Sequence, residues 1–263
     1  MTLLRTLSRA TAPVVDLVYP PRCPLCGDAI AQQTGLCQTC WSELVIPSDP
    51  ACAACQRPFG DSSITGEAAL CAPCMAAAPR HDGIMAGTLY NEASRQLVLK
   101  YKHGRRIALA PMLARLITAR MAGLEGEWLL IPVPLHPLRL WARGFNQSAL
   151  LAKELSRATG HSVAVDALRR IKRTPPLGGM GRKARERTLA GSIRVAPRQR
   201  ESISGSNVVL VDDVLTSGAT SDACVGVLKR AGAQQVKIAC FARVLHEVTG
   251  YESARDPKIP GAP

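Results

Sequence analysis

The sequence predicts an α/β fold: a parallel sheet with helices on both faces, behind a small cysteine-rich N-terminal segment. Three observations carry this. Strand-like and helix-like stretches alternate from about residue 128 to 244, the pattern of parallel strands joined by right-handed crossovers. Apolar residues are 47% of the 263 but aromatics only 4%, so the core is built of Ala, Val, Leu and Ile, which suits a sheet buried under helices. Eight of the ten cysteines lie between Cys23 and Cys74, all in C-x-x-C pairs.

From the start of the chain, Leu3, Leu4, Leu7, Ala10, Val14, Leu17 and Val18 form an apolar stripe broken by Arg5, Arg9 and Asp16. This predicts a short amphipathic helix over residues 1–20 and not a signal peptide with an uninterrupted apolar region. No stretch approaches the roughly 18 consecutive apolar residues of a membrane span. Residues 21–79 are rich in Cys, Pro and Gly with little periodicity, and such a segment cannot build a core without a staple.

The cysteine spacing supplies that staple. It reads Cys23-x2-Cys26-x10-Cys37-x2-Cys40, then Cys52-x2-Cys55-x15-Cys71-x2-Cys74. Each group offers four thiolates to one tetrahedral Zn²⁺, and a site filled by four Cys is structural. Residues 21–79 are therefore expected to be a double zinc ribbon, with an iron–sulfur cluster as the alternative occupant. Sequential use of the cysteines closes the shorter loops; a cross-braced arrangement would join Cys23 and Cys26 with Cys52 and Cys55. Regular metal-type pairs indicate a reducing compartment, the cytoplasm.

The main domain is expected over residues 80–250. Ile84–Tyr90 reads as a strand, Glu92–Lys102 and Ala108–Met121 as helices, and Trp128–Val133 as a buried strand. Asn146 caps a helix that Gly160 stops. Val163–Ile171 reads as a strand, Thr174–Arg187 as a basic loop, and Ile193 opens another strand. Asn207–Val211 is a second buried strand, Gly218–Ala231 a helix, and Val236–Val244 the last strand. Residues 251–263 hold three prolines and are expected to be a flexible tail.

Ligands of such sheets sit at the carboxyl ends of the strands. Val208–Thr220 (VVLVDDVLTSGAT) ends a buried strand there with two acids, then turns into a helix through small residues. Backbone N–H groups and the helix dipole at that turn favour a phosphate, and the hydroxyls of Thr216, Ser217 and Thr220 can donate to it. The acids need hydroxyls or a metal. Ribose 5-phosphate satisfies both ends. The plain alternative is a buried strand with a capped turn.

This stretch resembles the 5-phosphoribosyl-1-pyrophosphate (PRPP) signature of type I phosphoribosyltransferases. The resemblance implies that Asp212 and Asp213 hold the ribose hydroxyls as the catalytic pair, and that Thr216, Ser217, Gly218, Ala219 and Thr220 hold the 5′-phosphate. It implies a type I phosphoribosyltransferase-like sheet for residues 80–250. Ile131–Leu138 (IPVPLHPL) and Arg143–Gln147 (RGFNQ), together with the cysteine segment and an Arg-rich loop, are similar to the ComF family, which includes the GntX proteins. Arg170, Thr174, Arg182 and Arg185 match that family's loop, while Leu177 and Thr188 replace its Gln and Asn.

The resemblance further implies Mg²⁺ with PRPP. Arg139 and Arg143 are candidates for the pyrophosphate, and Arg182, Lys183 and Arg185 for a loop closing over it. Arg139 could equally be a solvated side chain, and Asn146 and Gln147 simple helix caps. Formal charge is +13, and Arg169–Arg200 alone carries eleven basic residues against Glu186, a surplus that attracts polyanions. Two functions fit. One is a phosphoribosyltransferase displacing pyrophosphate at ribose C1 with an unknown acceptor. The other is a non-catalytic protein binding PRPP and single-stranded DNA, because the ComF family is associated with DNA uptake in natural competence.

Overall fold

A computed structural model of the chain describes residues 19–59, 69–104, 106–172 and 182–245, without the side chains of Arg182, Lys183, Arg185 and Glu186. The expected N-terminal helix, Thr174, Leu177 and the tail lie outside the described residues.

The cysteine segment folds as two copies of one unit. Cys23–Cys26 and Cys52–Cys55 each form a tight turn, closed by Gly27 N–H donating to Cys23 O and Gln56 N–H to Cys52 O. Both residues after the turn have positive φ, 88° at Gly27 and 54° at Gln56, where glycine is the unstrained choice. Matching bridges flank the turns, Arg22 with Ala29 and Ala51 with Pro58. In each unit the third cysteine precedes a short helix that holds the fourth: α1 (Gln38–Ser42) after Cys37 and α2 (Ala72–Ala76) after Cys71.

Five strands make a parallel sheet in the order β1, β7, β6, β2, β3: β1 (Ile84–Leu89), β2 (Trp128–Pro132), β3 (Ser162–Val163), β6 (Asn207–Leu215) and β7 (Gln235–Arg243). Along β6, Val209 and Val211 face one core while Val208 and Leu210 face the other, as strand alternation requires. The first core takes α4 (Ala110–Arg120) and α6 (Gln147–Thr159) through Leu113, Ile117, Leu151 and Leu155. The second takes α9 (Ala219–Arg230) through Cys224, Val225 and Leu228. Helices therefore cover both faces. Cys224 and Cys240 are fully buried thiols.

The two metal units dock on opposite sides of this body. At the first, Lys100 on α3 (Glu92–Lys102) donates to the carbonyls of Pro24 and Leu25, and Leu89 N–H donates to Val45 O at 2.7 Å. The second buries Cys52, Cys55 and Cys71 in the core beneath α9.

Three elements differ from the sequence reading. The single strand expected over Val163–Ile171 is broken by a turn at Val165–Asp166. Its second part, β4 (Leu168–Arg170), leaves the main sheet and pairs antiparallel with β5 (Ile193–Val195). Within the stretch read as a basic loop, α7 (Arg182–Leu189) is helical; its Arg, Lys, Ala, Glu and Leu are good helix formers, and Leu189 is buried. Finally, β6 continues past Val211 through both acids to Leu215, because Val214 and Leu215 go on pairing with Ala242 and Arg243 of β7.

Candidate functional site

That extension defines the site. On the β7 side β6 is paired to Leu215, but on the β2 side pairing stops at Pro132 with Val211. Asp212 and Asp213 thus stand at the carboxyl edge, one strand step beyond the end of β2. Asp213 is 3% exposed. Its Oδ1 accepts Val214 N–H at 2.9 Å, and its Oδ2 lies 2.7 Å from Lys102 Nζ at the end of α3, an ion pair. Ser148 Oγ on α6 donates to Asp212 Oδ1 at 3.3 Å. Asp212 keeps part of its surface exposed, yet burial of the carboxyl and the adjacent Asp213 charge push it up to about 8, with Lys102 opposing.

This carries a stability cost in the ligand-free protein. The folded state prefers protonated Asp212, so the cost is absent below the ordinary carboxylate value, is only beginning at pH 4, grows as pH rises, and is complete above the folded pKa. We expect Asp212→Asn to raise the melting temperature at pH 8 by about 2–4 °C, as ~1 kcal/mol does in a chain of this size, and to leave it nearly unchanged at pH 4. Calorimetric scans at the two pH values check this; an equal shift at both would contradict it.

After β6 the chain turns at Thr216–Gly218 into α9. Gly218 is the N-cap with φ of 76°, and a side chain there would be strained whatever the space around it. The first-turn N–H groups of α9 have no intrahelical acceptors and form a nest suited to an anion. Thr216 is exposed, Ser217 and Thr220 partly so, and Ala219 is buried.

The RGFNQ segment links this edge to β2. Asn146 Oδ1 accepts the N–H groups of Ser148 and Ala149 at 3.0 and 3.4 Å, and its Nδ2 donates to Val133 O at 3.1 Å. Asn146 is a helix cap that also ties α6 to the end of β2. Gln147 is buried, and its Oε1 accepts from Arg143 Nη1 at 2.7 Å. Burial lowers the pKa of the Arg143 guanidinium, while Asp213 favours its charge. Arg139 and Arg143 both lie on α5 (Pro137–Arg143), a helix without buried residues that the sequence reading left unassigned. Arg139 is close enough to Arg143 and Arg170 to disfavour their charges.

The structure therefore brings Asp212, Asp213, Arg143 and the turn at Thr216–Thr220 to one edge of the sheet. Sequence reasoning missed Lys102 and Ser148, which meet the acids only through tertiary packing. Arg170, 7% exposed, was visible only as a match in the Arg-rich loop.

The cysteines gather sequentially, Cys23, Cys26, Cys37 and Cys40 in one group and Cys52, Cys55, Cys71 and Cys74 in the other, with each group's Sγ atoms within 4.8 Å of one another. Cys26 and Cys37 Sγ are 3.5 Å apart, Cys55 and Cys71 Sγ 3.6 Å. Zn–S bonds of ~2.3 Å in a tetrahedron place sulfurs about 3.8 Å apart, so both groups fit structural zinc. Among the described residues, no helix is long and apolar enough to cross a membrane.

Comparison with known proteins agrees with this layout. A double zinc ribbon domain model matches residues 14–75, and a phosphoribosyl transferase domain model matches residues 145–251. The DNA utilization protein YhgH of Salmonella typhi is 30% identical over 236 residues, 87% of this chain and all of that protein. Competence protein F of Haemophilus influenzae is 29% identical over 229 residues, 84% of this chain and 96% of that one. The chain belongs to the ComF family. Competence protein ComFC of Bacillus subtilis matches more locally, 34% over 96 residues and 36% of each chain. As expected of a ComF protein, the sheet is of the phosphoribosyltransferase type, with zinc-ribbon cysteine clusters before it.

Proposed function

We propose that this ComF protein binds PRPP with Mg²⁺ at the carboxyl edge of β6. In this reading Asp212 and Asp213 hold the ribose hydroxyls, and Thr216, Ser217, Gly218, Ala219 and Thr220 hold the 5′-phosphate. The observation that carries it is the juxtaposition of two acids left unpaired by β2 with an anion-suited helix start five residues on. Mg²⁺ would neutralise pyrophosphate charge when bound. Arg143 would face the pyrophosphate from across the edge, oriented by Gln147, with Arg139 beside it. Arg182, Lys183 and Arg185 would close over the reactants from α7 and exclude water, which an oxocarbenium-like transition state requires. If transfer occurs, the C1–pyrophosphate bond breaks, pyrophosphate leaves with the bonding pair, and an acceptor nucleophile bonds to C1.

A second reading keeps PRPP binding without turnover and adds single-stranded DNA, acting in DNA uptake. Two observations favour it. Relatives are named for DNA utilization and competence. On α5, Trp141 is 87% exposed next to Arg139 and Arg143, and an aromatic among arginines suits unpaired bases. A pyrophosphate-release assay with free bases, nucleosides and single-stranded DNA as acceptors separates the readings. Release that needs both Mg²⁺ and an acceptor supports transfer. DNA binding that falls steeply with salt, without release, supports the second reading.

A further inference from the structure

Between α9 and the second metal unit lies a cavity of about 770 Å³. One end is formed by Thr216–Ala219 and the other by Arg230 near the end of α9, with Cys55, Cys71 and Cys74 in the facing wall. Asp212 and Asp213 do not line it. Five basic residues do, namely Arg57, Arg80, His81, Arg230 and Arg243, and Asp222 is the one carboxylate among the lining residues.

Two of its features suit an anionic ligand. Arg243 closes β7 and is 9% exposed, yet its Nη1 has no hydrogen-bond partner among the described residues. A buried, incompletely paired guanidinium calls for a counter-charge. The neighbouring residue supplies none: burial, and then the Arg243 charge, push His81 down to about 4, so it is neutral. Secondly, a Cβ on Gly226 would lie 3.3 Å from Arg230 Nη1 and 3.8 Å from Arg80 Nη1. Two guanidinium groups of like charge thus converge over the one position of α9 that has no side chain.

We propose that this cavity is a second anion site, distinct from the acid pair at the sheet edge, that takes the phosphate monoester of a nucleotide. Guanidinium forks match phosphate oxygens in geometry and charge. The floor of Ile84, Ile193, Leu215 and Ile238 gives a nucleoside an apolar surface, and the volume lies in the range of small-molecule pockets, too large for phosphate alone. The monoester could belong to a free mononucleotide or to the 5′-phosphorylated end of a DNA strand. The site rests on the PRPP reading for its distinctness, because it shares the turn at Thr216–Ala219 with that reading but not the acids Asp212 and Asp213.

The test titrates the zinc-loaded full chain with adenosine 5′-monophosphate, then with a deoxytrinucleotide bearing a 5′-phosphate or a 5′-hydroxyl, each with and without saturating PRPP and Mg²⁺. Binding should persist with PRPP present. It should weaken at least about tenfold in Arg80→Ala/Arg230→Ala and in Arg243→Met, a loss of ~1.4 kcal/mol, while PRPP binding is unchanged in both. The exposed double variant keeps the test intact if Arg243→Met fails to fold. Response to the mononucleotide alone identifies a free nucleotide; response to the phosphorylated trinucleotide but not its hydroxyl counterpart identifies a DNA end. Displacement by PRPP, equal binding by the variants, or no response to either phosphorylated probe would overturn the proposal. Failure of PRPP itself to bind would remove the PRPP reading and leave the titrations without PRPP to judge this site.

Discussion

Stripping zinc with a strong chelator will unfold the described parts of the cysteine segment, residues 19–59 and 69–79, and expose the face of the sheet beneath α9. Each group packs four thiol sulfurs within 4.8 Å, and as thiolates without metal they repel. Structural zinc contributes about 10–16 kcal/mol in small zinc-binding units, more than the few side chains such as Leu44 that this segment lends to the main cores can replace. The two sites should not respond alike. Cys26 is exposed and Cys37 partly so, whereas Cys52, Cys55 and Cys71 are buried against Ile84 and Ala86. The first zinc should leave readily, with loss of the contacts to Pro24 and Val45. The second should leave slowly and take stability from β1. A colorimetric chelator should report two zinc ions per chain in two kinetic phases, with proteolysis near residues 19–46 after the first. One phase, or one zinc per chain, would contradict this.

The second large effect is expected at Lys102. Asp213 is nearly sealed from solvent, and Lys102 is its ion-pair partner at 2.7 Å. Lys102→Met leaves a buried carboxylate without its counter-charge, a loss of about 3–5 kcal/mol for a pair of this kind. Asp213→Asn should cost less, because Lys102 is partly exposed and can turn its ammonium to water. In urea unfolding, the Lys102 variant should therefore be the less stable of the two. The opposite order would mean that the pair does not hold this edge. If Asp213 holds a ribose hydroxyl, as proposed, that hydroxyl would share the carboxylate with Lys102.

Much of this was legible in the residues. The C-x-x-C spacing foretold both metal groups, since four sulfurs around one ion demand close pairs. The run VVLVDDVLTSGAT foretold a buried strand followed by a small-residue turn into a helix, because its apolar, acidic and small residues each suit one environment. Sequential pairing of the cysteines was preferred on loop length, and the structure has it. What stayed hidden depends on tertiary placement. Lys102 ends an amphipathic helix and Ser148 follows a cap, and nothing local says that either reaches an acid more than sixty residues away. Arg243 reads as an ordinary strand end until the fold places it, buried, on the cavity beside the second metal unit. The break at Val165–Asp166 and the helical turns of α7 were missed because short apolar or basic runs carry little periodicity. The extension of β6 through Leu215 was signalled by Val214 and Leu215 but passed over, since acids usually end a buried strand.

In the proposed function the acid pair and the turn after it form a PRPP site. Calorimetric titration of PRPP into the zinc-loaded protein, with and without Mg²⁺, tests it most directly when paired with Asp212→Asn/Asp213→Asn. Mg²⁺-dependent binding by the wild type, weakened by about 100-fold or more in the variant as two charge-assisted contacts are lost, is the expected result. No heat of binding from well-folded wild type, or equal binding by a variant that retains both zinc ions, would contradict it.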